Sequence, residues 1–306
     1  MSLNTRFNKA ESEKYISEDY NIIKKIGSGS FGDVYLADSI SLNKQVAIKV
    51  EEKRKNSRIV EEYKIYRRLF KRGMNNGIPQ IYDIIETPKF NILVLELLGF
   101  SLDHIFSSFN KQFSIETVLK LGIDITTLLE SVHNCGYLHR DIKPNNFLIG
   151  HTDKNQLYIM DFGLSKKYID ASNNHLNLKI DRSMVGTARY ASINIHMGLE
   201  PSRRDDLESV AYMLIYFLKG SLPWQGIKKE PDQDQLQLIG DTKLCTNMKK
   251  FCDDLPTCFF KFLDYTRSLK YDEIPNYDFI RSLFIDYANS NNIIPNYQWI
   301  NHIIPE

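Results

Sequence analysis

The chain has 306 residues, more than one typical domain, and its 39 Lys and Arg against 38 Asp and Glu leave a formal charge of +1. That balance gives no push toward nucleic acid or an anionic membrane. Cys135, Cys245, Cys252 and Cys258 form neither a CxxC pair nor a disulfide-rich spacing and the seven histidines are dispersed, which argues against zinc and secretory disulfides and for a reducing compartment. The opening Met1-Ser2-Leu3-Asn4-Thr5-Arg6 carries no hydrophobic signal segment and no glycine for myristoylation, and no apolar run is long enough to span a bilayer. Residues 1–18 are polar and read as a mobile extension; 19–97 and 98–306 read as two lobes sharing a cleft.

In chain order, Tyr20 to Ile26 reads as a strand, followed by Gly27-Ser28-Gly29-Ser30-Phe31-Gly32-Asp33-Val34 and a second β-rich run. The glycines therefore sit on a hairpin, where backbone without Cβ atoms can fold closely over phosphates. Val46-Ala47-Ile48-Lys49 is an apolar strand ending in a lysine. Between Ser57 and Arg72, Ile59, Tyr63, Tyr66, Leu69 and Phe70 recur at helical spacing. Glu62 falls on that inward stripe, whereas Glu61 is turned about 100° away along the helical period. A carboxylate facing a core is costly without a cation, and Lys49 is the expected partner. The alternating signs of the charges argue against a basic nucleic-acid helix.

Strands follow at Gln80 to Glu86 and Asn91 to Leu97, with the lobe boundary at Leu98-Gly99-Phe100-Ser101. From Ser114, an N-cap, a long helix runs to Cys135-Gly136. It delivers the chain to His139-Arg140-Asp141-Ile142-Lys143-Pro144-Asn145-Asn146. A short buried strand, Leu157 to Met160, precedes Asp161-Phe162-Gly163. Asp205 to Leu218 is a helix apolar on nearly every face, closed by Gly220 and Pro223, and implies burial at the centre of the larger lobe. Asp206 at its start either holds the backbone of the 139–146 loop or serves as an N-terminal helix charge, and the two roles are compatible.

The polar residues suit phosphoryl transfer, which needs charged groups aimed at the phosphate, a metal and an accepting hydroxyl. Asp141 is placed to accept from that hydroxyl, and Lys143 to reach the transferring group. Asn146 and Asp161 supply the neutral and anionic oxygens that Mg²⁺ prefers. Each of these residues alone would be ordinary turn chemistry. Together with the glycine string and Lys49, they match the motif set of a protein kinase.

From about Tyr20 to Trp299 the chain resembles the catalytic domain of the casein kinase 1 family. The strings that carry this are Gly186-Thr187-Ala188-Arg189-Tyr190-Ala191-Ser192-Ile193-Asn194, Ser202-Arg203-Arg204-Asp205-Asp206-Leu207-Glu208-Ser209 and Gly220-Ser221-Leu222-Pro223-Trp224-Gln225-Gly226. General kinases end the activation segment with Ala-Pro-Glu, whose Glu pairs with an arginine of the large lobe. Ser192-Ile193-Asn194 cannot make that pair, and this is the family's own mark.

The resemblance implies a bilobal α+β fold, a small β-rich lobe with one key helix and a larger, mainly helical lobe. It also implies a monomeric serine/threonine kinase that uses ATP and Mg²⁺ and prefers protein substrates carrying an acid or phosphate three positions before the target. Lys143, two residues after Asp141, is a local warrant for serine/threonine rather than tyrosine. In this reading Asp141, Lys143, Asn146, Lys49 and Glu62 are catalytic, and Asn146 and Asp161 hold the metal. Leu95 lies behind the adenine, Leu97 and Leu98 form the hinge, and Glu96 joins them in the nucleotide site. Ile26, Gly27, Ser28, Gly29, Ser30, Phe31, Gly32, Val34, Ala47, Lys49, Leu148 and Asp161 complete the nucleotide site.

Arg182, Arg189 and Lys166 match the family's anion pocket, and each is otherwise an ordinary surface cation. Arg140, which grips an activation-loop phosphate in regulated kinases, implies no such requirement here, so activity without phosphorylation is expected. Cytoplasmic location is expected, with the nucleus as a second address. Lys229 to Gln235, however, is acidic and polar where relatives carry a basic cluster, so nuclear targeting is not carried over. Ala211 stands where glycine is usual. The alternative to an active kinase is a pseudokinase scaffold, which predicts loss of Lys49, Asp141 or Asp161; none is lost.

Overall fold

The computed structural model describes residues 18–29, 32–53, 57–228, 230, 233–300, 302 and 304. The extension read over residues 1–18 lies outside these apart from Glu18, as do Ser30 and Phe31 of the glycine string.

An antiparallel sheet comes first: β1 (Tyr20–Gly29), β2 (Gly32–Ser39), β3 (Lys44–Glu52), β4 (Ile81–Glu86) and β5 (Phe90–Glu96), in the order β1-β2-β3-β5-β4. The sequence placed the end of the first strand at Ile26; instead β1 runs on through the glycines, and Gly29 pairs with Gly32. Gly32 has φ 145°, and a Cβ there would stand 2.1 Å from the Val50 carbonyl oxygen, so the hairpin can lie this close to β3 only as glycine.

The two-residue strand period puts Val46, Ile48 and Val50 into a small core with Tyr35, Ala37, Ile92 and Val94, and turns Ala47, Lys49 and Glu51 to the opposite face. That second face is covered by α1 (Ile59–Lys71), whose buried stripe is Ile59, Glu62, Ile65, Tyr66 and Leu69. Glu61 lies on the solvent side with Lys64. The first amides of α1 are capped from outside the helix: Arg58 and Ile59 N–H each donate to Glu51 Oε2 at 2.9 Å, and the Ser57 hydroxyl donates to the same oxygen at 2.8 Å. A carboxylate at a helix N-terminus is worth about 0.3–1 kcal/mol. Here it also fastens α1 to β3 two residues beyond Lys49.

Past β5 the chain forms β6 (Leu98–Ser101), α2 (Leu102–Ser108) and α3 (Ile115–Asn134). The Ser114 side chain caps α3 by accepting from Thr117 N–H, and Gly136 follows its end at φ 84°. Next come β7 (Tyr137–Leu138), β8 (Phe147–Gly150), β9 (Leu157–Ile159) and β10 (Lys166–Lys167). β6 pairs with β8 and β8 with β9, while β10 pairs with β7. The sequence reading has no strand at β6, because a four-residue segment containing Gly99 shows too little alternation.

The rest is helical: α4 (Ile193–His196), α5 (Arg203–Lys219), α6 (Gln235–Cys245), α7 (Met248–Phe251), α8 (Thr257–Ser268) and α9 (Tyr277–Ser290). α5 starts two residues before the expected Asp205, because Asp205 reaches back to accept from Ser202 N–H at 2.7 Å. Every residue from Asp205 to Phe217 is buried, Ala211 among them. α5 packs on α3 and α8, and α9 packs on both of these, so α5 lies within the helical core. A β-sheet N-terminal region and a helical C-terminal region make a mixed α+β fold.

Candidate active site

Lys49 and Glu62 meet because β3 turns its odd-numbered residues toward α1. Lys49 Nζ donates to Glu62 Oε2 at 2.6 Å and to Asp161 Oδ1 at 2.9 Å. Glu62 is fully buried and its Oε1 has no hydrogen-bond partner among the described residues. Burial works against the Lys49 ammonium, but Glu62 and Asp161 outweigh it and raise its pKa above the ordinary lysine value. Burial likewise works against ionising Asp161, and Lys49 reverses it, holding the carboxyl below its usual range.

Asp161 adopts a left-handed conformation, φ 66° and ψ 68°, which brings its side chain to Lys49 while Phe162 turns into the core. Phe162 packs edge-on against Tyr66 of α1, ring centroids 5.0 Å apart, and against His139 at 5.2 Å. Asp161 N–H also donates to Tyr66 OH at 3.2 Å, so α1 and the 161–163 turn are tied together by this ring contact, this hydrogen bond and Lys49.

The 139–146 loop is anchored by Asp206, which accepts from His139 N–H and Arg140 N–H at 2.8 Å each, and whose Oδ2 lies 3.0 Å from His133 Nε2. Both readings of Asp206 thus hold, since it also stands in the first turn of α5. Burial opposes its ionisation, and the His133 hydrogen bond, His139 and the Arg140 amide keep its pKa low nonetheless. Arg140 sits at φ 67° and donates from Nε to Leu164 O at 2.7 Å.

This scaffold presents Asp141, whose Oδ2 accepts from Lys143 Nζ at 2.6 Å and whose Oδ1 accepts from Thr187 Oγ1 at 2.8 Å. Asn146 Nδ2 donates to the Asp141 carbonyl at 2.8 Å. Gly186, φ 87°, lets the segment carrying Thr187 approach, because a Cβ there would lie 2.4 Å from Arg140 O.

Ser192-Ile193-Asn194 carries no acid, and α5 supplies two. Asp205 Oδ1 accepts from the Ser192 hydroxyl at 2.6 Å and from Asn194 Nδ2 at 3.1 Å. Glu208 Oε1 accepts from Ile193 N–H at 3.2 Å and Tyr212 OH at 2.6 Å, with Arg267 Nε 3.5 Å away. A carboxylate and an arginine still secure the end of this segment, but the carboxylate stands on the helix beneath it.

The three cations read as one anion pocket are divided in the structure. Lys166 Nζ and Arg182 Nε meet the two oxygens of Glu200 at 2.6 and 3.0 Å. The Arg189 guanidinium instead lies over the rings of Tyr190 and Tyr216, 5.8 and 5.6 Å from their centroids. The sequence could not separate them, because their grouping depends on where α5 and residue 200 lie.

Around the cleft, Gly27 is paired with Val34, Ala47 with Leu95, and Leu148 with Ser101 and Tyr158. Leu95 and Leu98 are buried, while Leu97 is partly so and packs on the main core. Ile26 is exposed, and the Ser28 hydroxyl donates to Asp33 at 2.8 Å. The Glu96 carboxylate accepts from Gln80 N–H at 3.0 Å and its own N–H donates to Gln80 O at 2.8 Å. A groove of about 580 Å³ lined by Arg67, Phe70, Gln80, Glu96 and Tyr158 shares only Glu96 with the expected nucleotide positions.

The donor set fits a hard cation carried in with phosphates. Asp161 Oδ2 and Asn146 Oδ1 take no hydrogen bond among the described residues, so one anionic and one amide oxygen are free. No group of three or more His, Cys, Asp or Glu among the described residues forms a metal cage. Mg²⁺ suits two protein oxygens completed by substrate phosphate and water. Asn146 and Asp161 would hold it.

A raised lysine on a buried glutamate, a carboxylate facing a lysine and a threonine, and free oxygens for Mg²⁺ define a phosphotransferase. A family model for the protein kinase domain matches residues 20–272, and the chain belongs to that family. It is a protein kinase, with protein substrates and ATP as the donor that the family implies.

Four contributors went unread in the sequence: Glu51, Thr187 as a partner of Asp141, Glu200 and Glu208. Thr187 and Glu208 lie inside the quoted strings, yet nothing local shows what they face.

Proposed function

We propose that this protein kinase is a serine/threonine kinase of casein kinase 1 type, acting as a monomer and preferring acceptors with an acidic or phosphorylated residue three positions before the target. The observation that carries the transfer reading is the convergence of Asp141, Lys143 and Thr187 beside the Lys49–Glu62–Asp161 cluster. ATP supplies the phosphoryl group and Mg²⁺ neutralises its charge when bound. Lys49, held in place by Glu62, fixes the donor phosphates. Asp141 accepts the proton as the acceptor O–H bond breaks and the new O–P bond forms, the bond from the γ-phosphorus to the β,γ-bridging oxygen breaks and ADP leaves, and Lys143 offsets the charge that develops.

Support for serine/threonine acceptors comes from Lys143, 2.6 Å from Asp141. Support for the casein kinase 1 type comes from the three strings and from α5 serving Ser192-Ile193-Asn194 in place of a segment carboxylate. The priming preference rests on the cations: Lys166 and Arg182 share one carboxylate and stay 37% and 47% exposed, so the group keeps a positive excess open to another anion.

The test is phosphate transfer to two peptides that differ only in whether the serine three residues before the acceptor is phosphorylated. Faster turnover of the primed peptide is expected, and Lys166→Ala with Arg182→Ala, compared with Arg189→Ala alone, shows which group reads the phosphate. Equal turnover of both peptides would remove the priming claim and leave the kinase. Asp141→Asn should lower kcat about 10²- to 10⁴-fold with ATP binding intact. Full ATP binding without any transfer by the wild type would favour a scaffold.

A further inference from the structure

Lys243 is a fully buried lysine on α6, far in sequence from every motif above. Its Nζ donates to Ala188 O at 2.8 Å and Ala191 O at 2.5 Å, and lies 3.3 Å from His196 Nε2. The rings of Tyr212 and Trp224 flank it, each 5.0 Å from Nζ to centroid. Among the described residues no carboxylate lies within ion-pair distance, because Glu208 is taken up by Ile193, Tyr212 and Arg267. Burying such a group is costly, and an apolar side chain of similar volume would avoid that cost. What offsets the cost here is two carbonyls and two ring faces.

Both carbonyls belong to the segment that begins at Thr187. Trp224, one of the two rings, donates from Nε1 to Arg189 O at 2.7 Å, so Ala188, Arg189 and Ala191 are all gripped from beneath. The Tyr190 and Ala191 amides turn back onto Thr187 O at 2.9 and 3.0 Å, which closes the segment into a tight loop. Thr187, at its head, donates to Asp141.

We propose that Lys243 is a positioning residue for the acceptor: by tying Ala188 and Ala191 down it sets the Thr187–Ser192 loop against Asp141 in the form an acceptor peptide docks on. The role rests on the proposed kinase reading and deepens it, since the contact works on the peptide side of the cleft and touches none of the nucleotide positions.

The experiment is steady-state kinetics of Lys243→Met with one acceptor peptide, varying peptide and ATP separately, with a melting curve on the same preparation. Peptide KM should rise roughly tenfold or more, equivalent to one or two lost hydrogen bonds, while the KM for ATP stays within about twofold. A structural role alone would lower the melting temperature and scale kcat with the folded fraction, leaving both KM values unchanged; that result overturns the proposal. Should Lys243→Met fail to fold, Lys243→Gln, which keeps a donor for one carbonyl, carries the same comparison, and an unchanged peptide KM there overturns it equally. Absence of transfer by the wild type would instead defeat the kinase reading itself.

Discussion

The hydroxyl of Thr187 donates to Asp141 Oδ1 at 2.8 Å, so a residue of the activation segment shares the carboxylate that Lys143 holds by its other oxygen. Asp141 is thereby fixed in rotation from both sides. Thr187→Val keeps the shape and removes the donor. We expect kcat for peptide to fall roughly ten- to hundredfold, the worth of a hydrogen bond to a charged group, with little change in the KM for ATP. An unchanged kcat would mean that Lys143 and Asn146 orient Asp141 without help.

Lys49 is the cation for a fully buried Glu62, and the nearby Asp161 belongs to the same cluster. Lys49→Met should therefore cost stability as well as activity, about 3–5 kcal/mol by urea unfolding, because an unpaired carboxylate is left inside. Adding Glu62→Gln should recover part of that loss. If Lys49→Met were inactive yet fully stable, the pair would matter to the nucleotide alone.

Asp206 takes two loop amides and faces His133, so Asp206→Asn should destabilise the fold by about 3 kcal/mol or more near neutrality. The pKa of Asp206 is lowered in the fold from 3.8, so its contribution is fully present above that value and is lost as pH falls through the lower folded one. Wild type and variant should thus converge only below about pH 3.8. Convergence at higher pH would contradict an ionised, hydrogen-bonded Asp206.

His196 sits between Ala188 O and Lys243, and burial first, then Lys243, pushes its pKa down to about 4 from 6.5. Between those values the unfolded chain binds a proton that the folded protein refuses. Stability should therefore fall as pH drops from 6.5 toward 4 and be unaffected by this group above 6.5. His196→Gln, followed by urea unfolding across that range, should flatten the slope; an identical slope would assign it to other groups.

Much of the architecture was legible because it rests on short-range rules. The helical spacing of α1 selected Glu62 over Glu61, and the structure puts Glu62 on Lys49. Ser114 and Gly136 marked the ends of α3 within a residue. β6 escaped, because its partner β8 lies about fifty residues on and pairing across that distance leaves no local pattern.

Phosphoryl transfer demands particular residue types at fixed spacing on neighbouring turns, so the chain alone picks out Asp141, Lys143, Asn146 and Asp161 as its candidates within one stretch. Only the tertiary structure decided which charges meet. It put Glu51 on the first turn of α1, moved the acid that secures the activation segment to Glu208, and separated Arg189 from Lys166 and Arg182. It also buried Lys243 beneath the Thr187 loop. A charge is tolerated inside a protein only by the partner the fold brings to it, and the partners here lie from eight residues away along the chain, as Ile59 does from Glu51, to more than a hundred, as Asp161 does from Lys49.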